Sequence, residues 1–131
     1  MANMFDGCSG LKNIDAISTF NFSGMADEYS SSLRNFITNV TIDNVNLSGI
    51  ELLNLIGFND SMFSSCTFKN FTMDNLNAPK LTTFGNSFFS NCTFDNISIK
   101  NWNIPLCTRA HLNCVAVDTL DASGWYAPKV N

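Results

Sequence analysis

The sequence predicts a single β-rich solenoid, a stack of about five coils with a parallel sheet on one face and irregular or short helical returns on the other. Two observations lead to this fold. The stretch SMFSSCTFKNFTM, which begins at Ser61, returns as SFFSNCTFDNISI from Ser87. Weaker copies of the same motif cover nearly all of the 131 residues. Self-similarity at a period of 20–50 residues is the sequence signature of repeat architectures.

Each copy opens with one residue, usually apolar, that is followed three positions later by Cys or Val. The openings lie near residues 5, 37, 63, 89 and 111, as the pairs Phe5/Cys8, Ile37/Val40, Phe63/Cys66, Phe89/Cys92 and His111/Cys114. A second pattern, apolar-x-x-apolar-x-apolar, follows each opening as LKNIDA, IDNVNL, FKNFTM, FDNISI and VDTLDA. We therefore treat residues 1–131 as one repeat domain.

The last three positions of the second pattern, apolar-x-apolar, alternate with the period of a β-strand. It places Phe71 and Met73 on one face and Thr72 on the other. One short strand cannot bury its apolar face alone, whereas coils that each contribute such a strand bury it by stacking on their neighbours. We expect one inward file of side chains, formed by Val45, Phe71, Ile97 and Leu120.

The segments that return the chain should absorb the unequal spacing of the copies. The first return, residues 25–37, and the second, ELLNLIGF from Glu51, could include helical turns, whereas Pro79 and Pro105 favour extended or turn backbone in the next two. The chain begins and stops inside a repeat, so both ends of the solenoid should be uncapped. Either the chain is a segment of a longer array, or its ends stack on other subunits.

The first and last copies carry a family resemblance. The segments MFDGCSGLKNIDA and CVAVDTLDASGWYAPKVN resemble the repeat of BspA-like leucine-rich repeat surface proteins, with Met-Phe-x-x-Cys-x-x-Leu and Leu-Asp-x-Ser-x-Trp as its marks. The three middle copies shorten the gap after Cys or Val by one residue. The resemblance implies a leucine-rich-repeat-like stack with an adhesive or protein-binding role on a microbial or viral surface.

Charge and apolar patterning limit the kinds of partner that the chain is expected to have. Charged residues make up 14% of the chain and the net charge is −4, so no basic stripe exists to neutralise a phosphate backbone. We expect no nucleic-acid partner. The longest apolar stretch, residues 52–58, is too short to cross a bilayer, and no signal-peptide pattern starts the chain, so we expect no membrane insertion.

Residues for catalysis or metal binding are scarce. His111 is the only histidine, and it occupies a repeat position that phenylalanine fills elsewhere. A catalytic triad or dyad would have to use it. Zinc would be expected to use a Cys-x-x-Cys pair, which is missing, and the carboxylates of Asp118 and Asp121 fall on solvated strand positions. We predict a non-enzymatic protein with no cofactor.

Two columns of equivalent residues are predicted to be structural ladders. One consists of Cys8, Cys66, Cys92 and Cys114. Because Val40 fills the same position, we expect buried thiols that act as small apolar side chains, with disulfides as the lesser alternative. The other consists of Asn13, Asn44, Asn70 and Asn96, whose amides could hydrogen-bond from coil to coil.

The polar face of the sheet is the predicted recognition surface, because solenoids bind partners over such extended faces. Its candidate contact residues are Asp15, Asn46, Thr72, Ser98 and Asp121, with Asp74 and Lys100 beside them. The expected partner is a protein or a surface glycan. The alternative is a structural or host-attachment component of a virion or other assembly, which would self-associate through open solenoid ends.

Two further possibilities stay open in the sequence. Seven Asn-x-Ser/Thr sequons would suit glycosylation of a secreted chain, although the repeat itself generates several of them. The five-residue rhythm of Phe94, Ile99 and Ile104 is typical of pentapeptide-repeat helices, some of which imitate DNA. The negative charge here is too small and scattered to favour that function.

Overall fold

The computed structural model describes residues 3–25, 33–58, 61–85 and 88–130. They form a β-solenoid of about three turns, built from parallel sheets with almost no helix. The strands are Phe5–Asp6 (β1), Ile37–Thr38 (β2), Thr41–Asn46 (β3), Phe63–Ser64 (β4), Thr67–Thr72 (β5), Phe89–Ser90 (β6), Thr93–Ser98 (β7) and Ala116–Asp121 (β8). A 3-10 helix runs from Asp15 to Thr19.

The strands form two parallel four-stranded sheets, where the sequence predicted one. The short sheet has the order β1-β2-β4-β6 and the long sheet the order β3-β5-β7-β8. Each of the first four copies has a residue with positive φ two positions after the repeat opening, and in the second, third and fourth copies this residue separates the two sheets. These residues are Gly7, Asn39, Ser65 and Asn91, with φ values of 64°, 55°, 54° and 55°. Gly and Asn adopt this conformation most readily, so the turn directs the chain from one sheet into the next.

The long sheet stacks equivalent residues in register. The ladder places Val45 beside Phe71, Phe71 beside Ile97, and Ile97 beside Leu120. The first three members of this file are buried. The predicted shared apolar file is therefore present over the middle coils, and it supplies one wall of the core.

Aromatic rings fill much of the interior. Phe63 stacks on Phe89 at 5.3 Å between ring centroids, and Phe68 stacks on Phe94 at 5.4 Å. Phe63 also meets Phe71 edge to face, at 5.3 Å and 86°. Stacked and edge-to-face pairs are the favoured arrangements of aromatic rings. Phe63 thus packs on the equivalent ring of the next coil and on a ring from another repeat position in its own coil.

Two tryptophans continue this stacking towards the C-terminal coil. Trp102 is fully buried and stacks on Trp125 at 4.8 Å and 8°. The indole N–H of Trp102 donates a 2.6 Å hydrogen bond to the carbonyl of Met73, and that of Trp125 donates to Ile99. The same interaction recurs in successive coils, so burying the indoles leaves their polar N–H groups satisfied.

The returns are held by isolated parallel bridges. One row joins Glu51, Asn77, Asn103 and Tyr126, and another joins Gly57, Thr83 and Arg109. The second return therefore has extended and turn backbone and not the helical turns that its sequence allowed, because its backbone pairs with the next coil. Most of the first return, residues 26–32, lies outside the described residues.

The two ends of the long sheet differ. At the N-terminal end the LKNIDA copy of the strand pattern forms no strand, and the 3-10 helix begins at its fifth residue, Asp15. The side chain of Asn13 accepts a 2.7 Å hydrogen bond from the backbone N–H of Asp15, a local bond that competes with strand pairing. Ile14 and Ile17 are buried beneath this helix, and Asp15 accepts a 2.6 Å bond from the N–H of Asn46 in β3. At the other end β8 is the last described strand.

Candidate functional site

A shallow groove of about 380 Å³ lies on the outer face of β5, β7 and β8. We call it the sheet groove. One wall is formed by Asn70, Asn96 and Thr119, and the other by Thr72, Ser98 and Asp121. Between the walls run Phe71 and Ile97, which belong to the core, and Leu120, which is exposed. The groove therefore follows the solenoid axis over three stacked strands.

The first wall is a hydrogen-bonded ladder. The side-chain amide of Asn70 donates to Asn44 at 2.9 Å, and that of Asn96 donates to Asn70 at 3.0 Å. The hydroxyl of Thr119 then donates to the amide oxygen of Asn96. Each amide has two N–H groups and the ladder uses one of them, so its orientation is fixed while it keeps donor capacity for a ligand. Asn13 instead bonds locally to Asp15, at the edge of the 3-10 helix.

The second wall adjoins a charged cluster. One oxygen of Asp74 accepts hydrogen bonds from the Ser98 hydroxyl at 2.7 Å and from the Lys100 backbone N–H at 2.8 Å. The Lys100 ammonium lies 3.7 Å from the other Asp74 oxygen and 3.9 Å from Asp121. Such exposed ion pairs contribute little to stability. They do hold one positive and two negative groups together, of which Lys100 and Asp121 line the groove.

Asp121 is kept ionised by its neighbours. The side chain and the backbone N–H of Ser123 both donate to its carboxylate, and these bonds, with the Lys100 charge, lower the pKa of Asp121. A carboxylate that accepts hydrogen bonds in its charged form resists protonation. The groove therefore offers a fixed acceptor at this position at neutral pH.

The predicted contact residues fall into two groups. Thr72, Ser98, Lys100 and Asp121 line the sheet groove, and Asp74 is hydrogen-bonded to its wall. Asn46 lies in register with Thr72 one coil away, outside the groove lining. Asp15 lies further away still, in the 3-10 helix, where it bonds to the Asn46 backbone. The structure thus brings together the part of the column that belongs to the last three strands.

The five cysteines are free thiols that differ in burial. Cys66 and Cys92 are buried in neighbouring coils, and the Cys66 thiol together with burial raises the pKa of Cys92. Cys107, outside the predicted column, is also buried, and burial raises its pKa. Cys8, in the first coil, is exposed, and Cys114, in the last coil, is half-buried. All five are free thiols, and the buried ones act as small apolar side chains.

His111 is exposed and stands apart from the groove. Its carbonyl accepts a hydrogen bond from the N–H of Phe88 at 3.1 Å, and the carbonyl of Leu112 accepts one from Phe89. Within the described ranges, no group of three or more His, Cys, Asp or Glu side chains is close enough to hold a metal ion. No helix among the described residues is long and apolar enough to cross a membrane.

Further amide ladders were not recognised in the sequence. Asn101 donates to Asn75 at 3.2 Å, and Asn103 donates to Asn77 at 2.8 Å. Both pairs are separated by 26 residues, the spacing of the Asn70–Asn96 pair. A search for other asparagine pairs at this 26-residue spacing, outside the strand motif, would have identified both ladders. They run along the returns, so they stabilise coil stacking away from the groove.

Comparison with known proteins gives no match to a protein-family model, a curated protein or a solved structure.

Proposed function

We propose that the chain is a non-enzymatic recognition or adhesion module that binds a protein or a surface glycan through the sheet groove. The observation that carries this proposal is the composition of the groove, which is walled on both sides by ordered amide, hydroxyl and carboxylate groups. Four of the seven contact residues predicted from the sequence lie in it: Thr72, Ser98, Lys100 and Asp121.

The groove chemistry suits an extended ligand with regularly spaced polar groups. Adjacent strands of a sheet lie about 4.8 Å apart, so each wall repeats its donors and acceptors at that interval. The amide ladder and the Asp74 hydrogen bonds hold these groups in place before a ligand arrives. Preorganised polar groups lower the entropic cost of binding. Glycan hydroxyls and a peptide backbone both provide matching partners.

The wider identity is part of the same proposal. We take the chain to be a leucine-rich-repeat-like solenoid of five coils, similar to BspA-like proteins and displayed at a cell surface as part of a longer chain. The recurring Phe-x-x-Cys opening and the Leu-Asp-x-Ser-x-Trp segment around Leu120 support it.

Filling the sheet groove should weaken binding. We expect the wild-type chain to bind at least one component of a panel of immobilised glycans and intact microbial or host cells. Thr72→Arg should weaken that binding about tenfold or more, equivalent to about 1.4 kcal/mol, because the long side chain occupies the groove. Surface plasmon resonance and cell-binding assays measure the change.

The matched control is Thr67→Arg, which introduces the same side chain on the same strand but outside the groove lining. It should bind as the wild type does. A wild-type chain that binds nothing in the panel, or two variants that bind equally well, would contradict the proposed function.

A structural or attachment role in a virion or other assembly is the second candidate. It is favoured by the apolar C-terminal coil, in which Val115, Leu120 and Tyr126 are exposed. Mass spectrometry of purified particles tests it: the chain should be present in fixed stoichiometry, and its absence would count against this role.

A further inference from the structure

A cleft of about 440 Å³ separates the first coil from β3. Ser9 and Lys12 line it from the first coil, and residues 41–44 of β3 line it from the second. The two coils are already stacked in the short sheet, where β1 pairs with β2. In the long sheet β3 pairs with β5 on its other side. The cleft therefore lies between two coils of this chain, where a strand of the first coil would pair with β3.

The LKNIDA segment, residues 11–16, has the spacing of a copy that does form a strand. Two residues separate Cys8 from the first apolar residue of this segment, and two residues also separate Cys114 from that of VDTLDA in the last coil. The VDTLDA segment forms β8 and pairs in register with β7. The longer gap after the cysteine is therefore compatible with a strand.

The inner positions of the first coil are already those of a strand. In the register of β7 and β8, Ile14 would lie beside Val45 and Leu11 beside Ile42. Ile14 is 3% exposed, and Leu11 packs against the core. Pairing with β3 would thus leave both side chains on the core face, and it would require a change of the backbone around them.

A side chain now takes the place of one backbone acceptor of the ladder. The Asn46 N–H donates to the Asp15 carboxylate at 2.6 Å. In a parallel ladder that pairs Asp15 with Asn46, the same N–H would donate to the carbonyl of Ile14. The Asp15 side chain thus satisfies the donor that the missing strand would satisfy, and it does so from beside that strand position.

The neighbouring ladder bond is missing in the first coil. In the later coils, the N–H of the residue that follows the strand donates to the next coil at 2.7–2.8 Å, as Leu47, Met73 and Ile99 do. Ala16 is the equivalent residue of the first coil, and among the described residues it makes no such bond to β3. The local bonds of Asn13 with Asp15 compete with this pairing.

We propose that residues 11–16 form a conformational switch between two arrangements. One is the observed form, in which the 3-10 helix begins at Asp15, and the other is a strand that pairs in parallel with β3 and closes the cleft. Local side-chain bonds stabilise the first form, and ladder bonds stabilise the second. Two arrangements that differ by a few kcal/mol coexist as major and minor populations.

The strand form enlarges the polar outer face. Asn13 then extends the column of Asn44 and Asn70, and Asp15 extends the column of Asn46. The use of this larger face by a ligand rests on the proposed function. The exchange itself does not, because it is measured on the chain without a ligand. Its failure would therefore leave the proposed function standing, and a failure to bind ligands would leave the switch standing.

The double variant Asn13→Val/Asp15→Thr tests whether the segment can form the strand. Valine and threonine favour strands, and the pair removes the amide and the carboxylate that make the local bonds. The Ala16 amide should then donate to the Asn46 carbonyl. We expect its hydrogen exchange, measured by NMR, to slow about tenfold or more, while the circular dichroism spectrum shows that the variant is folded.

The matched control is Asn21→Val/Ser23→Thr, because the Asn21 side chain accepts the Ser23 N–H at 2.9 Å in a similar local bond outside the segment. It should leave the exchange of Ala16 unchanged. In the wild type, saturation-transfer NMR should detect a minor state of residues 11–16 with the chemical shifts of the first variant. Unchanged exchange of Ala16 in that variant, equal slowing in the control, or a wild type without this minor state would overturn the switch.

Discussion

Replacing Ile97 with aspartate is expected to destabilise the folded protein severely. Ile97 lies in the middle of the apolar file, between Phe71 and Leu120, and is 3% exposed. The new carboxylate would be buried among apolar groups with no cation beside it. Burying an unpaired polar or charged group belongs to the most destabilising class of substitutions, so we expect a loss of about 4 kcal/mol or more. Total stabilities are about 5–15 kcal/mol, so this loss removes much of the margin.

The control for this prediction is the same substitution one coil further along. Leu120→Asp places the carboxylate at the equivalent position of β8, where the side chain is already exposed. Its free energy of unfolding, measured by urea titration of the circular dichroism signal at low protein concentration, should change by less than about 1 kcal/mol. Equal losses for both variants would contradict the stacked arrangement of the file.

Truncating Phe63 to alanine is expected to cost about 3–5 kcal/mol of unfolding free energy. Phe63 is fully buried, and its ring meets four others, those of Phe68, Phe71, Phe88 and Phe89, at centroid distances of 5.3–6.1 Å. Removing it opens a cavity that stacked coils cannot fill by a local shift, because each neighbouring ring is held by the next one. Chemical denaturation measures the loss.

Phe20→Ala provides the comparison, since Phe20 is 38% exposed and, among the described residues, its ring contacts that of Phe22 at 6.2 Å. It should cost about 1 kcal/mol or less, within the range of ordinary surface changes. If the two truncations had similar effects, the aromatic columns would not be the core of the fold.

The apolar file could be predicted because two independent signals agree on it. The apolar-x-apolar step assigns Phe71 and Met73 to one face, and the 26-residue repeat places Ile97 and Ile99 at the same positions of the next coil. Both pairs are buried. Periodicity within a strand and periodicity between coils thus give the same assignment, which leaves little freedom for an alternative register.

The first coil shows why a repeated motif does not guarantee a repeated structure. LKNIDA matches the pattern of FKNFTM, yet residues 15–19 form a helix. Local hydrogen bonds from Asn13 to the backbone and side chain of Asp15 take the place of the ladder there. The apolar pattern alone does not reveal this local competition.

The sheet groove combines two columns of residues that the sequence analysis kept apart. The sequence assigned Thr72 to recognition and Asn70 to a structural ladder, and the structure places them on opposite walls of one groove. They are two positions apart, so strand periodicity alone puts them on the same face. The division into two sheets was harder to predict from the sequence. The turns that separate the sheets place Asn39, Ser65 and Asn91 at positive φ. Glycine is the clearest sequence signal for this conformation, and only the first copy has a glycine, Gly7, at this position.

The central claim is that equivalent coils stack in register, and deletion of one whole coil tests it most directly. Removing residues 67–92 joins Cys66 to Thr93 and preserves the Cys-Thr-Phe motif at the junction. Val45 should then pair with Ile97 and Asn44 with Asn96. We predict a shorter β-rich protein that unfolds cooperatively in urea at a lower midpoint, because repeat stability is the sum of repeat and interface contributions. A chain without cooperative unfolding, or an equally stable product from deleting only residues 67–79, would contradict the account.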